Sequence, residues 1–206
     1  MHHVTQRALA AAGLALVFAA STALAQQPQT VRVRGQIEKV DGTTLTVKAR
    51  DGSELKVKLA DPTRISAMLK SSLDDIKEGS FIGVSAMPQP DGSQKAFAIH
   101  IFLDAQRGVV ADRFLEWDSR PGSTMTNANV ATMVTGKDGK ELLVKYKDGE
   151  KKVIVPDGIP IARYAPGSAA DLKVGAKVFV AAAKKEADGT LTAPNIAVGR
   201  DIDPPQ

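Results

Sequence analysis

The chain has 206 residues, a formal net charge of +4, 24% charged residues and no cysteine. Disulfides, thiolate nucleophiles and thiolate metal sites are therefore excluded. The mild positive balance does not by itself mark a nucleic-acid binder.

Residues 1–25 read as a signal peptide. Arg7 supplies the positive charge, Ala8 to Ala20 form an apolar run of 13 residues, and Ala23-Leu24-Ala25 fits the small-x-small cleavage rule. The run is shorter than the roughly 18 to 20 residues a spanning helix needs, so a cleaved leader fits better than an anchor. The expected cut precedes Gln26. Arg7 is the only Lys, Arg, Asp or Glu removed, so +4 less one leaves +3 on the exported chain. The expected location is periplasmic or secreted, with no transmembrane segment after cleavage. Residues 26–30 are expected to be a disordered mature N-terminus.

Three strands should follow. Val31, Val33, Gly35 and Ile37 alternate with Arg32, Arg34, Gln36 and Glu38. Leu45, Val47 and Ala49 alternate with Thr46, Lys48 and Arg50, and Leu55, Val57 and Leu59 with Glu54, Lys56 and Lys58. Period-two alternation gives strands with one buried and one wet face. Asp41-Gly42 and Asp51-Gly52 supply tight turns between them. Ser72, Asp75 and Gly79 then predict a short capped helix. Strands are expected over 81–87 and 95–103.

This grammar occurs twice. At an offset of 97, Thr44 to Gly52 falls on Glu141 to Gly149, and Asp41-Gly42 and Asp91-Gly92 fall on Asp138-Gly139 and Asp188-Gly189. At 96, Ser72 to Gly79 meets Ser168 to Gly175. Strands over 177–183 and 192–198 complete the second copy. Pro194 marks the last of them as an edge or bulged strand. Three strands, a helix and a hairpin is the order of an OB-like barrel. The expectation is an all-β protein of two tandem small five-stranded OB-like barrels, each with one short helix: repeat 1 over 31–104, a linker over 105–127, repeat 2 over 128–201 and a disordered tail over 202–206. A unit of this size buries only about 60% of its unfolded surface, so the copies should pack on each other. In the linker, Phe114, Leu115 and Trp117 are expected to staple the segment to one barrel.

The stretch Val33-Arg34-Gly35-Gln36-Ile37-Glu38-Lys39-Val40-Asp41-Gly42, with Leu45-Thr46-Val47, Asp51-Gly52, Leu73-x-x-Ile76-Lys77-x-Gly79 and Asp91-Gly92, resembles an exported bacterial β-domain family, domain of unknown function 5666. The whole exported part is similar to rhizobial-type hypothetical periplasmic proteins. The resemblance implies a small β-barrel and no established activity. Some relatives carry a metal-permease label, from which this chain departs, since a permease needs several spanning helices.

There is no nucleophile elbow, His-Glu-x-x-His, phosphate loop or GxGxxG. The exported part has one histidine, His100, expected as a half-exposed strand residue opposite Ile99 and Ile101, with Ala197 as its counterpart. Soft-metal binding could draw on Met68, Met87, Met125, Met133, His100 and Trp117, but no Met-x-Met or Met-x-x-Met cluster exists and Met68 reads as core packing. Asp74-Asp75 reads as helix N-terminal charge, and Asp201 and Asp203 fall in the tail. No catalytic, cofactor or metal residues are assigned. Lys48, Lys56 and Lys58, with Lys145, Lys147, Lys151 and Lys152, form a candidate anion-binding face for an anionic envelope component. Lys184-Lys185 adds to it. Stacking aromatics are too few for nucleic acid. The expected function is a non-catalytic binding or scaffold module of the cell envelope. The alternative is a copper-type metal-handling accessory protein of the periplasm.

Overall fold

A computed structural model describes residues 29–204 except residue 138. The expected signal peptide, most of the expected disordered N-terminus and the last two residues of the tail lie outside the described residues. The chain is all-β, as the alternation requires. In order it forms β1 (Thr30–Asp41), β2 (Thr44–Ala49), β3 (Glu54–Lys70), β4 (Phe81–Pro88), β5 (Gln94–Ile101), β6 (Arg113–Trp117), β7 (Ser123–Gly136), β8 (Gly139–Tyr146), β9 (Gly149–Val155), β10 (Ile161–Pro166), β11 (Lys177–Lys185) and β12 (Leu191–Gly199). Among the described residues no helix is long and apolar enough to cross a membrane.

The two meanders fold as the sequence predicts: β1-β2-β3 and β7-β8-β9 are consecutive antiparallel sets. The hairpins correct the expected domain plan, because they are exchanged. The hairpin β11-β12 of the second repeat pairs with the first meander, β11 antiparallel to β1 and β12 parallel to β3. This closes a five-stranded barrel, β1-β2-β3-β12-β11. The hairpin β4-β5 of the first repeat pairs with the second meander, β4 antiparallel to β7. Two parallel pairs, Gln94 with Val153 and Lys95 with Ile154, complete a second five-stranded circuit. Neither 31–104 nor 128–201 is a self-contained barrel.

The length of β3 explains the exchange. Its 17 residues have a contour of about 55 Å, far beyond one barrel wall. Its register against β12 slips between Leu59 and Arg64, around the cis Asp61-Pro62 bond, and it runs on as Arg64–Lys70. That extension pairs on one side with β12 and on the other with β10, where Ala67 faces Ala165 and Met68 faces Tyr164. The chain thus leaves its own meander before β4 begins. The equivalent of β3 in the second repeat is broken into β9 and β10, and β5 runs parallel to both pieces. The antiparallel β3–β10 contact lies at the pseudo-twofold relation between the repeats.

Three further corrections follow. The expected helices are single 3-10 turns, Leu73–Asp75 and Ala169–Asp171. Their capping acids act as predicted: the Ser72 N–H donates to Asp75 at 3.2 Å and the Ser168 N–H to Asp171 at 2.7 Å. The turns stop because each offers only Leu73 and Ile76, or Leu172, to an interior, too little for a helix that needs tertiary packing to persist. The expected linker is not separate: β6 pairs with the first residues of β7, which starts at Ser123. The hairpin β7-β8 also runs longer than β1-β2: Val134 faces Glu141 where Asp41 faces Thr44, and two further pairs extend it. The offset between first strands is therefore 93, and four residues sit in the longer hairpin tip. Pro194 behaves as expected, exposed at a register slip between Ala193 and Asn195.

Both interiors are filled. Val33, Ile37, Leu45, Val47 and Val57 of the first meander pack with Val178, Val180, Ala193, Ile196 and Val198 of the second hairpin. Ile82, Val84, Ala96 and Ile99 of the first hairpin pack with Val130, Leu142, Val144 and Val153 of the second meander. A third cluster, Met68, Ala162, Tyr164, Phe179 and Ala197, joins the two units, with Phe102, Trp117 and Ile202 against it. The tail is pinned, contrary to expectation. The Lys70 N–H donates to Asp201 at 2.6 Å, Lys177 pairs with Asp203 at 2.6 Å, and Pro204 is buried.

Candidate functional site

The residues singled out from sequence meet, in part, at the junction of the two units. His100 sits on β5 directly across from Gly83 on β4. It is buried, not half-exposed, because β5 passes through the junction instead of lying on an outer wall. A Cβ at position 83 would stand 2.1 Å from His100 Nε2, so the ring occupies the space that glycine leaves. Its edge meets Phe102 at 4.9 Å and Tyr164 at 5.8 Å between ring centres, while Phe102 and Tyr164 stack at 5.4 Å. Burial lowers the His100 pKa from 6.5 to about 4, so the imidazole is neutral near pH 7. The same burial raises the Tyr164 hydroxyl above its ordinary value.

The second repeat solves the same packing problem in reverse. Positions 83 and 100, at offsets of 96 and 97, correspond to Phe179 and Ala197, which also face each other across a strand pair. One copy uses small then large, the other large then small. Each aromatic group enters the shared cluster once, and this reciprocity accounts for His100 by packing.

Beside His100 lies a cleft of about 450 Å³. The Arg50 turn of the first barrel, β5 of the second circuit, the turn before β7 and the pinned tail all contribute to it. Arg120 lies with its guanidinium 3.9 Å from the centre of the Phe97 ring. Ser85 is buried at the wall, and the Ser119 hydroxyl is buried without a hydrogen-bond partner. Met68 also lines the cleft, and it is buried as the sequence suggested.

A clamp closes the junction nearby. Asp118 accepts from Arg34 at 2.7 Å and 3.2 Å and from Arg32 at 3.1 Å. Partial burial raises the Asp118 carboxyl, but the hydrogen bonds and charges of Arg34 and Arg32 outweigh this and hold it below the usual carboxylate value. Both guanidinium groups lie over Trp117, at 4.5 Å and 5.0 Å, and Trp117 meets Phe179 edge-on. Trp117 therefore staples the segment to the first barrel while β6 pairs in the second circuit. Phe114 instead stacks on Tyr146.

The candidate anion-binding lysines fall on the two meanders, one set on each. Lys48, Lys56 and Lys58 lie on β2 and β3 of the first barrel. Lys145, Lys151 and Lys152 lie on β8 and β9 of the second circuit, and Lys147 in the turn between. Lys48 pairs with Glu38 at 3.6 Å, Lys152 with Glu141 at 3.0 Å, and Lys151 lies over Phe114. Of the methionines, Met125 is buried, Met87 is half-buried, and Met133 packs against the second core. Among the described residues no group of three His, Asp or Glu side chains could hold a metal. Sequence reasoning missed Arg32, Arg34, Asp118, Arg50 and Arg120. Asp118 lies 84 or more residues from Arg34 and Arg32, Arg120 meets Phe97 across 23 residues, and no local spacing signals either contact.

Residues 34–100 match the model of the family described as Domain of unknown function (DUF5666), the family that the motifs resemble. The matched stretch runs from β1 to β5, so it contributes strands to both units. No curated protein and no solved structure matches the chain.

Proposed function

We propose that this chain is a non-catalytic binding or scaffold module of the cell envelope, exported after cleavage before Gln26 and acting in the periplasm or outside the cell. The observation that carries this reading is the filling of both interiors by Val, Leu and Ile side chains. An OB-like barrel that takes a ligand through its mouth needs room there, so the outer walls, the turns and the junction are left for contact. The order of meander, turn and hairpin supports an OB-like ancestry for each repeat. The packing of His100 against aromatic rings and Gly83 supports a structural role for this residue. The lysine walls suit a weak, salt-sensitive attraction to anionic lipid or lipopolysaccharide phosphate.

The test combines localisation with activity. Osmotic shock is expected to release a form lacking residues 1–25, binding to envelope extracts is expected to collapse between low and moderate salt, and a broad hydrolase panel is expected to stay silent. Turnover that disappears in His100→Ala would overturn the reading. One observation favours the metal-handling alternative: Met68 and His100 line the same cleft. Cu(I) titration yielding a stoichiometric site tighter than micromolar, lost in Met68→Leu, would establish it.

A further inference from the structure

We infer that the junction cleft binds a small amphipathic anion, its carboxylate or phosphate held by Arg120 and Arg50 and its apolar body laid against Phe97, Ile99 and Ala162. The inference deepens the binding-module reading above and rests on it. The cleft volume, about 450 Å³, lies within the span of small-ligand pockets, about 300 to 1,000 Å³.

The charge arrangement specifies the head group. Arg50, Arg64, Arg113, Arg120 and Arg163 take part in no ion pair among the described residues, and of these Arg50 and Arg120 line the cleft. Arg120 is held by its face on Phe97, which leaves its in-plane N–H groups to donate. That edge is the one that matches a carboxylate or phosphate bidentately. Ser119 lines the cleft beside it, and its buried hydroxyl has no protein hydrogen-bond partner. His100, neutral in its buried setting, leaves the positive charge of the cleft to the two arginines. The one carboxylate at the cleft, Asp203, is engaged by Lys177 at 2.6 Å.

The walls specify the body. Both arginines are exposed at the rim, while buried Ile99 and Ala162 lie deeper. A head at the rim and an apolar tail inside follow from that gradient. Inorganic anions would leave the apolar wall uncovered, and neutral apolar molecules would leave both cations and the Ser119 hydroxyl unanswered.

Calorimetric titration of the full chain with octanoate and octyl phosphate tests this, with octanol and inorganic phosphate as controls. One equivalent of at least one octyl anion is expected to bind, and comparing the two tells a carboxylate ligand from a phosphate one. Both controls are expected to bind at least about tenfold more weakly, as is the better anion to Arg120→Gln and to Arg50→Gln, a factor equivalent to about 1.4 kcal/mol. Both variants change exposed side chains, and an unchanged melting temperature shows that the fold persists. Saturation by neither octyl anion, equal binding by either control, or undiminished binding by both variants overturns the inference. Any of these results, with localisation and the hydrolase panel as expected, removes the cleft ligand and leaves the module reading standing.

Discussion

Gly83→Ala is the substitution that the junction should tolerate least for its size. The added Cβ would lie 2.1 Å from His100 Nε2, 2.6 Å from Cε1 and 2.7 Å from Cδ2. Carbon and nitrogen atoms in contact sit near 3.5 Å, so the imidazole must retreat by more than an ångström. Phe102 and Tyr164 stand edge-on to it and are stacked on each other, so the ring can retreat only toward the cleft it lines, which breaks that packing. Overpacking of this kind costs about 3 kcal/mol, the upper part of its usual range. At about 2 to 4 °C per kcal/mol for a chain of this length, the melting temperature should fall by about 6 to 12 °C. His100→Ala alone should cost a similar amount by leaving a cavity. The two changes share one space, so they should not add: Gly83→Ala with His100→Ala should be more stable than the sum by about 2 kcal/mol. Gly83→Phe with His100→Ala, which copies Phe179 and Ala197, should recover more still. Urea melts of the four variants read these quantities. Additivity within about 0.5 kcal/mol, or a neutral Gly83→Ala, would refute the reciprocal packing of the two repeats.

Four further expectations can be checked directly. Because Thr30 faces Lys184 across the exchanged hairpin, Thr30→Cys with Lys184→Cys should oxidise to an intramolecular crosslink, whereas Thr30→Cys with Pro88→Cys, the pair of an unexchanged barrel, should not. For the same reason residues 29–104 alone should run as a dimer that swaps hairpins, measured by light scattering, and a monomer melting at the intact protein's temperature would contradict the exchange. Stability should also fall in acid. His100 binds its proton in the unfolded chain near pH 6.5 but in the folded one only near 4, so stability is full above about 6.5 and declines to about pH 4, by about 3 kcal/mol, and His100→Gln should flatten that slope in melts taken across this window. Finally, Asp118→Ala leaves Arg34, 11% exposed, without its carboxylate; a loss of about 2 kcal/mol is expected in denaturant melts, and an unchanged midpoint would show that the clamp is not needed.

Much of the architecture was legible because it is written in short-range patterns. Leu45, Val47 and Val57 point inward because side chains alternate along a strand, whatever the strand pairs with. Asp-Gly turns, the Ser72 and Ser168 caps, the bulge at Pro194 and the internal repeat are likewise local facts. The candidate site was not legible in this way. Asp118 between Arg32 and Arg34 and the burial of His100 depend on segments brought together from distant parts of the chain, and Arg120 over Phe97 depends on how the β6-β7 turn lies across β5.

The sequence by itself determined the strands, their inward faces and their duplication. It could not determine which hairpin closes which meander, because two similar repeats offer each meander two partners with the same alternating pattern. Only the tertiary structure decided that, through the long extension of β3 beyond Pro62 and its pairing with β10, which carry β4 and β5 to the other meander. The junction, its cleft and the burial of its histidine are consequences of that one exchange.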